Sequence, residues 1–256
     1  MRISVYDDLK EMGKAAAILA AEKLNKAISQ KGHARMNMST GKAQFQFLES
    51  LIEQDVDWSR VTAFHLDDYI GIPDTHPASF RRFLRERFFS KIDCGKIYYI
   101  DADSEHPETV IKTLTEAIRA EPIDVAFIGI GENAHIAFND PPADFETKEA
   151  FIVVALDEAC KAQQVGEGWY SSLDEVPKTA ITMTAYEIMR ASSIISVVPH
   201  KVKAKAIYNM LNSAGRDNMI PATLLKEHGD LSLFLDKESA SLLSGELLAR
   251  YTQCGL

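Results

Sequence analysis

The sequence predicts an α/β fold, with a doubly wound and mostly parallel sheet covered by helices on both faces. Three observations carry this expectation. Short β-rich apolar runs alternate with amphipathic stretches of ten or more residues, the pattern of βαβ units. The run "IDVAFIGI" at 123–130 is almost wholly apolar, as a central strand buried on both faces requires. Several strand-like runs end in polar loops rich in glycine, where open α/β sheets bind ligands.

The elements follow in order. "MRISVY" reads as a strand, and residues 8–30 as a helix because Ala17, Ala21, Leu24 and Ile28 recur at helical spacing. "ARMNMS" (34–39) is a second strand, followed by "TGKAQ" and a helical run "FQFLESLIEQ". "VTAFHLDDY" (61–69) reads as one strand, and Pro77 marks the start of the next helix. That helix carries Phe80, Phe83 and Leu84 on one side, with the arginines of 81–87 read as a solvated face. "KIYYI" (96–100) is a strand, 106–120 a helix and 123–130 the central strand. "FIVVAL", "AITMT", "SIISVV" and "LSLFL" are further strands, with helices over 200–213 and 237–250. No repeat or linker interrupts the chain, so residues 1–256 are expected to form one domain. Residues 157–177 are rich in turn formers and are expected to act as a lid.

Bulk properties exclude several classes. The chain has 256 residues, 46% apolar and 25% charged, which argues against disorder. A net charge of −9 argues against a nucleic-acid partner, which needs clustered Lys and Arg. The N-terminal residues show no signal-peptide pattern, and no apolar run reaches the ~20 residues of a membrane span. Cys94, Cys160 and Cys254 are odd in number and far apart, so neither a disulfide framework nor a CxxC metal site follows. A reducing cytoplasm is the expected compartment. A homo-oligomer is allowed for, although nothing in the sequence marks an interface.

Candidate chemistry lies in the loops after strands. In "STGKA" (39–43), Ser39, Thr40, Gly41 and Lys42 offer hydroxyls and N–H groups at a helix start, which suits an anion. It is not a Walker loop: the first glycine position falls on Met36, and Ala43 replaces the hydroxyl residue. In "HLDDYIGIP" (65–73), alternation sends Asp67 and Asp68 to opposite faces, so one carboxylate faces a given pocket. Such a carboxylate can abstract a proton beside a carbonyl. The H-x-D pair has no second ligand at matching spacing, so no metal is expected. In "GIGENAHIAFNDPP" (129–142), His135 can serve as acid or base if a neighbour orients it, and Asp140 and Asn133 are the local neighbours. In "PHKVKAKA" (199–206), a lysine near the helix start can anchor a phosphate. Each stretch taken alone also fits a cap, a turn or a solvated face.

Together and in this order, these segments resemble the glucosamine-6-phosphate deaminase family with its galactosamine-6-phosphate isomerase relatives. The family pattern runs strand–TG–helix, D-E-Y-x-G-L-P, G-x-G-x-D-G-H-I-A-F-N-E-P, VPK, then G-x-x-K-A. This chain has "STGKA", "LDDYIGIP" with "HPASF", "GIGENAHIAFNDPP", "EVPKTAITMT" and "HKVKA". The related 6-phosphogluconolactonases continue G-H-T-A-S-L-F after the histidine, which this chain does not.

The resemblance implies a single Rossmann-like domain and an aldose–ketose isomerisation coupled to loss of ammonia from an amino-sugar 6-phosphate, with no cofactor. It implies that Asp67 shuttles the proton between C2 and C1, that His135 opens the ring, and that Asp140 orients His135. It assigns the phosphate to the loop from Ser39 to Lys42 and to Lys203. The chain departs from the family in five places, the first of which, Asp68 for a glutamate, leaves the expected base Asp67 intact. Asn133 replaces an aspartate and Asp140 a glutamate, which thins the acidic support of His135. Ala134 replaces a glycine, so the backbone there must avoid positive φ or carry strain. Glu167 and Gly168 stand where the family's lid carries a phosphate-gripping arginine in S-R-F-F. Two alternatives remain: a sugar-phosphate sensor without turnover, and a lactonase on the same fold.

Overall fold

The computed structural model describes residues 1–252, so Cys254 lies outside the described residues. The chain runs β1 (Arg2–Tyr6), α1 (Leu9–Lys31), β2 (Ala34–Met38), α2 (Phe45–Ile52), β3 (Val61–His65), β4 (Asp67–Tyr69), α3 (Phe80–Arg87), β5 (Lys96–Tyr98) and α4 (Pro107–Arg119). It continues β6 (Val125–Ile128), β7 (Phe151–Ala155), α5 (Glu158–Gly166), β8 (Thr179–Met183), α6 (Ala185–Ile188), β9 (Ile194–Val198), α7 (Ala204–Asn212), β10 (Leu231–Asp236) and α8 (Gly245–Thr252).

Seven strands form a sheet in the order β1-β10-β9-β6-β2-β3-β5, and every neighbouring pair is parallel. Strand β6 sits at its centre, and all four of its residues are buried. Helices cover both faces, as the sequence predicts. On one side α1, α2 and α3 pack through Leu24, Phe47, Leu48 and Phe83; on the other α4, α7 and α8 pack through Leu114, Ile118, Ile207 and Leu247. The alanines of α1 (Ala16, Ala17, Ala20) are fully buried and let that helix lie close to the sheet. Chain order reverses between β2 and β6: β3 and β5 extend the sheet one way, β9, β10 and β1 the other. Loops leaving β2 and β6 therefore diverge, and the crevice between them is the expected ligand position.

Four sequence expectations are corrected. The run 61–69 is two strands, not one. β3 belongs to the large sheet, whereas β4 joins β8 and β7 in a separate antiparallel sheet. Leu66 is the junction: its N–H donates to the Met38 carbonyl of one sheet, and its carbonyl accepts from Met183 N–H of the other. Helix α3 starts at Phe80 rather than at Pro77, because Ser79 accepts from Arg82 N–H and acts as its N-cap. The arginines of that helix are not all solvated. Arg81 is buried and pairs with Asp68, Asp101 and Asp103. Residues 237–244 form turns, and only α8 is helical there. The cause is Asp236, whose carboxylate accepts from Ser239 N–H and from His200 N–H and so closes a turn where a helix would have started.

Candidate active site

The loops after β2, β3 and β6 and the turn after β9 meet over the sheet. They line a cleft of about 680 Å³, the open solvent at its mouth included. Ser39, Thr40, Gly41, Lys42, Asp67, His135 and Lys203 all line it. Asn133 and Asp140 stand behind His135. The sequence-predicted residues thus converge, although they lie on four separate segments.

Asp67 stands at the mouth of β4, paired in register with Thr182 of β8. Its side chain faces the cleft and is only 6% exposed. Desolvation pushes its carboxyl well above the usual range, and the charges of Asp68 and Asp140 add to that. Asp68 points the other way, as strand alternation requires. It is fully buried and accepts from Phe80 N–H at 3.1 Å and from Arg81 Nε at 3.0 Å, anchoring the start of α3. His65, two residues before Asp67, is also fixed. Ile100 N–H donates to its Nε2 at 2.8 Å, so its proton sits on Nδ1, which donates to the Asp67 carbonyl at 3.0 Å. Burial holds this imidazole near a pKa of about 3, and it is neutral.

His135 sits on the loop after β6. Its Nδ1 meets Asp140 Oδ1 at 2.8 Å. Burial pushes the Asp140 carboxyl up, but the hydrogen bond and charge of His135, then the amide of Asn133, hold it below the usual carboxylate range. An ionised Asp140 accepts, so Nδ1 carries the proton and Nε2 is left facing the cleft. Gly131 makes room for that face of the ring: a Cβ there would stand 2.2 Å from Nε2. Asn133 makes its hydrogen bonds to groups other than the imidazole. Its Nδ2 donates to Asp140 Oδ1 at 3.0 Å, and its Oδ1 accepts from His135 N–H at 3.1 Å. It braces the carboxylate and the loop together. Ala134 adopts φ 69°, so the loop keeps the left-handed turn without glycine and carries the strain.

Other residues that line the cleft suit an anion. Ser39 Oγ is buried and has no hydrogen-bond partner. Lys203 is 6% exposed, and desolvation depresses its ammonium despite the charges of Glu167 and Glu132. The turn after β9 aims it inward: His200 adopts φ 78°, held by Asp236, and a 3-10 turn Lys201–Lys203 precedes α7. Lys201 and Lys205, its neighbours in sequence, are exposed. Lys42 leans toward the segment expected to be a lid, where it donates to the Glu167 carbonyl and lies 5.5 Å from the Trp169 ring centre.

That segment is more regular than its composition suggests, with α5 and a short 3-10 turn at Leu173–Glu175. Glu167 lines the cleft where the family pattern has arginine, and its carboxylate accepts from Gln163 Nε2 at 2.8 Å and Trp169 Nε1 at 3.0 Å. Sequence reasoning missed Gln163 and Trp169, whose only signal was polarity beside an aromatic in a turn-rich stretch. It also missed that Cys160 of α5 lies beside His135 and Asp140. These form the one group among the described residues with metal-ligand proximity.

A buried ammonium and a hydroxyl without hydrogen-bond partners among the described residues, loop N–H groups, a carboxylate and a carboxylate-oriented imidazole in one cleft can hold a phosphate while moving protons on the chain attached to it.

Known proteins resemble this chain in sequence and in fold. Residues 7–233 match the model of a family described as glucosamine-6-phosphate isomerases/6-phosphogluconolactonase. A glucosamine-6-phosphate deaminase from Thermoanaerobacter sp. (strain X514) is 34% identical over 253 residues, covering 96% of each chain. One from Lactobacillus delbrueckii subsp. bulgaricus is 31% identical over 245 residues, covering 95% of this chain and all of the other. Among solved structures, a monomeric glucosamine-6-phosphate deaminase superposes with a TM-score of 0.87 at 26% identity, covering 94% of this chain and 100% of that one. A 6-phosphogluconolactonase from Thermotoga maritima shares the fold, with a TM-score of 0.76 at 18% identity over 92% of this chain and 99% of that one.

Proposed function

The chain belongs to the glucosamine-6-phosphate isomerase/6-phosphogluconolactonase family, and from that premise we propose that it catalyses the isomerising deamination of an amino-sugar 6-phosphate. The substrate is glucosamine 6-phosphate or its galacto epimer, and the products are the ketose 6-phosphate and ammonia. The observation that carries this reading is that Asp67, His135 with Asp140 on its Nδ1, and the buried Lys203 come together on one cleft.

The phosphate binds Lys203, the Ser39 hydroxyl and the N–H groups of Thr40 to Lys42. Lys42 exchanges its contact with the Glu167 carbonyl for a phosphate oxygen. His135 Nε2 takes the proton of the anomeric hydroxyl and returns it to the ring oxygen, opening the ring, while Asp140 stabilises the transient imidazolium. Asp67 then removes the C2 proton and delivers it to C1. A carboxylate with a raised pKa is a stronger base, suited to both halves of that transfer. The resulting C2 imine adds water and loses ammonia, so the overall step hydrolyses a C–N bond. The protein works as a single domain in a cytoplasmic setting, with residues 157–177 closing over the phosphate end. Among the described residues no helix is long and apolar enough to cross a membrane.

The test is a panel of glucosamine 6-phosphate, galactosamine 6-phosphate and 6-phosphogluconolactone, scored for ammonia, ketose phosphate and acid. Ammonia with an equal amount of ketose phosphate is the expected result. Acid release from the lactone alone would overturn it in favour of the lactonase. Thermal stabilisation by amino-sugar phosphates without product would leave a sensor.

A further inference from the structure

We propose that Cys160, Asp140 and His135 form a capture site for a thiophilic divalent cation, with Zn2+ as the representative ion, and that occupancy reversibly blocks turnover. One sulfur, one carboxylate oxygen and one imidazole nitrogen from these residues lie within 4.8 Å of one another. The independent sign of a ligand is on Asp140. Its Oδ1 is engaged by His135 and Asn133, whereas its buried Oδ2 has no N–H or O–H donor among the described residues, and the Cys160 thiol is the weak donor left to the carboxylate. The Asp140 side chain is 9% exposed. A weak thiol donor under-satisfies a buried anionic oxygen, and a cation that replaces the thiol proton is the species that would satisfy it. Cys160 is 1% exposed and not in a disulfide. Burial, then the charges of Asp140, Asp157 and Asp67, push its thiol up, so the ion must itself displace the thiol proton.

The donor set selects the ion. Sulfur, nitrogen and oxygen with a fourth position open match what Zn2+ accepts, with bonds of about 2.0–2.3 Å and donors standing about 3.5 Å apart. Magnesium and calcium require shells of oxygen ligands that this cluster does not offer. Binding is balanced by one proton: the Cys160 thiol releases its proton to solvent, and neutral His135 moves its proton from Nδ1 to Nε2 to free a lone pair. Both changes disable the cleft, because Nε2 can no longer accept a proton and Asp140 no longer orients the ring. The ion also ties α5 to the loop after β6, which joins the segment over the phosphate end to the catalytic loop.

The site does not depend on the proposed reaction, so metal binding and inhibition are read separately. Replacing Cys94 and Cys254 by serine leaves Cys160 as the single thiol. Chelator-stripped protein is titrated with Co2+, then with Zn2+. We expect a sulfur-to-cobalt charge-transfer band saturating at one ion per chain and bleached by Zn2+, a thermal midpoint raised by Zn2+, and ammonia release that falls with occupancy and returns with chelator. C160A and C160S in the same background should lose the band, bind Zn2+ at least about tenfold more weakly and resist inhibition relative to their own metal-free rates. Their thermal midpoints without metal report whether they fold. No band, equal Zn2+ affinity in a folded C160A or C160S, or full turnover with the site occupied would overturn the proposal. Absent turnover before metal is added would instead overturn the functional reading, with the site still decided by the band.

Discussion

Asp67 and Asp68 are adjacent carboxylates, both nearly inaccessible, and only Asp68 has an arginine partner. Asp67 is the uncompensated one, which makes it costly and reactive together. Its folded pKa is raised, so in the window above the ordinary carboxylate value the folded state binds more protons than the unfolded chain, and stability is lost as pH rises through it. Asp67→Asn should therefore raise the thermal midpoint, by more at pH 7 than at pH 4, while turnover falls by about 10²–10⁴. Retained turnover would remove Asp67 from the proton-transfer role, and an unchanged midpoint would mean the buried charge is compensated. The second test concerns Asn133. Electrostatics read from sequence treats it as a lost acidic neighbour of His135, but its amide is a donor to Asp140 at 3.0 Å. Asn133→Asp removes that donor and sets two carboxylates in contact, which disfavours ionisation of the pair. The acid limb of the kcat/KM profile should move to higher pH; an unmoved limb would mean residue 133 does not tune the dyad. The sequence named the candidate residues here, and the structure shows which atom each one faces. Donor direction is set by the tertiary position of the loop, which residue identity does not encode.

Among the elements, the loop after β6 depends on close approach. Gly131 meets the imidazole so tightly that an added Cβ would lie 2.2–2.4 Å from three ring atoms. Gly131→Ala should displace His135 from Asp140 and lower kcat by about 10²-fold or more, with little change in the thermal midpoint, since the ring can swing into the cleft. A kcat near that of the parent would show that the ring need not occupy its present position. A second close approach holds the helical layer. Gly13 of α1 faces the backbone of Gln46 in α2, where a Cβ would lie 2.7 Å from the Gln46 carbonyl carbon. Backbone cannot step aside as a side chain can, so Gly13→Ala should cost about 1–3 kcal/mol in urea unfolding. Most elements were legible because burial follows periodicity: α1, β2, α4 and β6 fall where the apolar pattern puts them. The failures share a cause. The break at Leu66 between β3 and β4 is fixed by pairing with Met38 and Met183, distant in sequence. The burial of Arg81 is fixed by Asp68, Asp101 and Asp103. Both are long-range pairings that a local pattern cannot display.

At the scale of the whole molecule, two sheets meet at Asp67, and His65 is the fastener between them. It closes β3, takes an N–H from Ile100 beyond β5, and gives its proton to the carbonyl of Asp67, the first residue of β4. The imidazole works as donor and acceptor at once, which only the neutral ring can do. Its pKa falls from 6.5 to about 3 on folding because burial disfavours the charged ring. Between those values the unfolded chain binds the proton and the folded state does not, so this contribution to stability is full above about 6.5 and is lost as pH falls toward 3. The slope is at most about 1.4 kcal/mol per pH unit. Asp67 acts with the opposite sign, since its raised pKa favours the folded state at low pH. The wild-type curve alone mixes the two, and the difference from a variant separates them. Gln at position 65 keeps one donor and one acceptor and does not titrate. The stability of wild type minus that of His65→Gln, from urea unfolding at fixed ionic strength, should rise with pH between about 3 and 6.5 and then level. The same measurement in the Asp67→Asn background should give the same difference, because removing the carboxylate leaves the two hydrogen bonds of His65 to backbone in place. A difference that stays flat across that window would mean His65 enters the fold already protonated, and the junction of the two sheets would need another explanation.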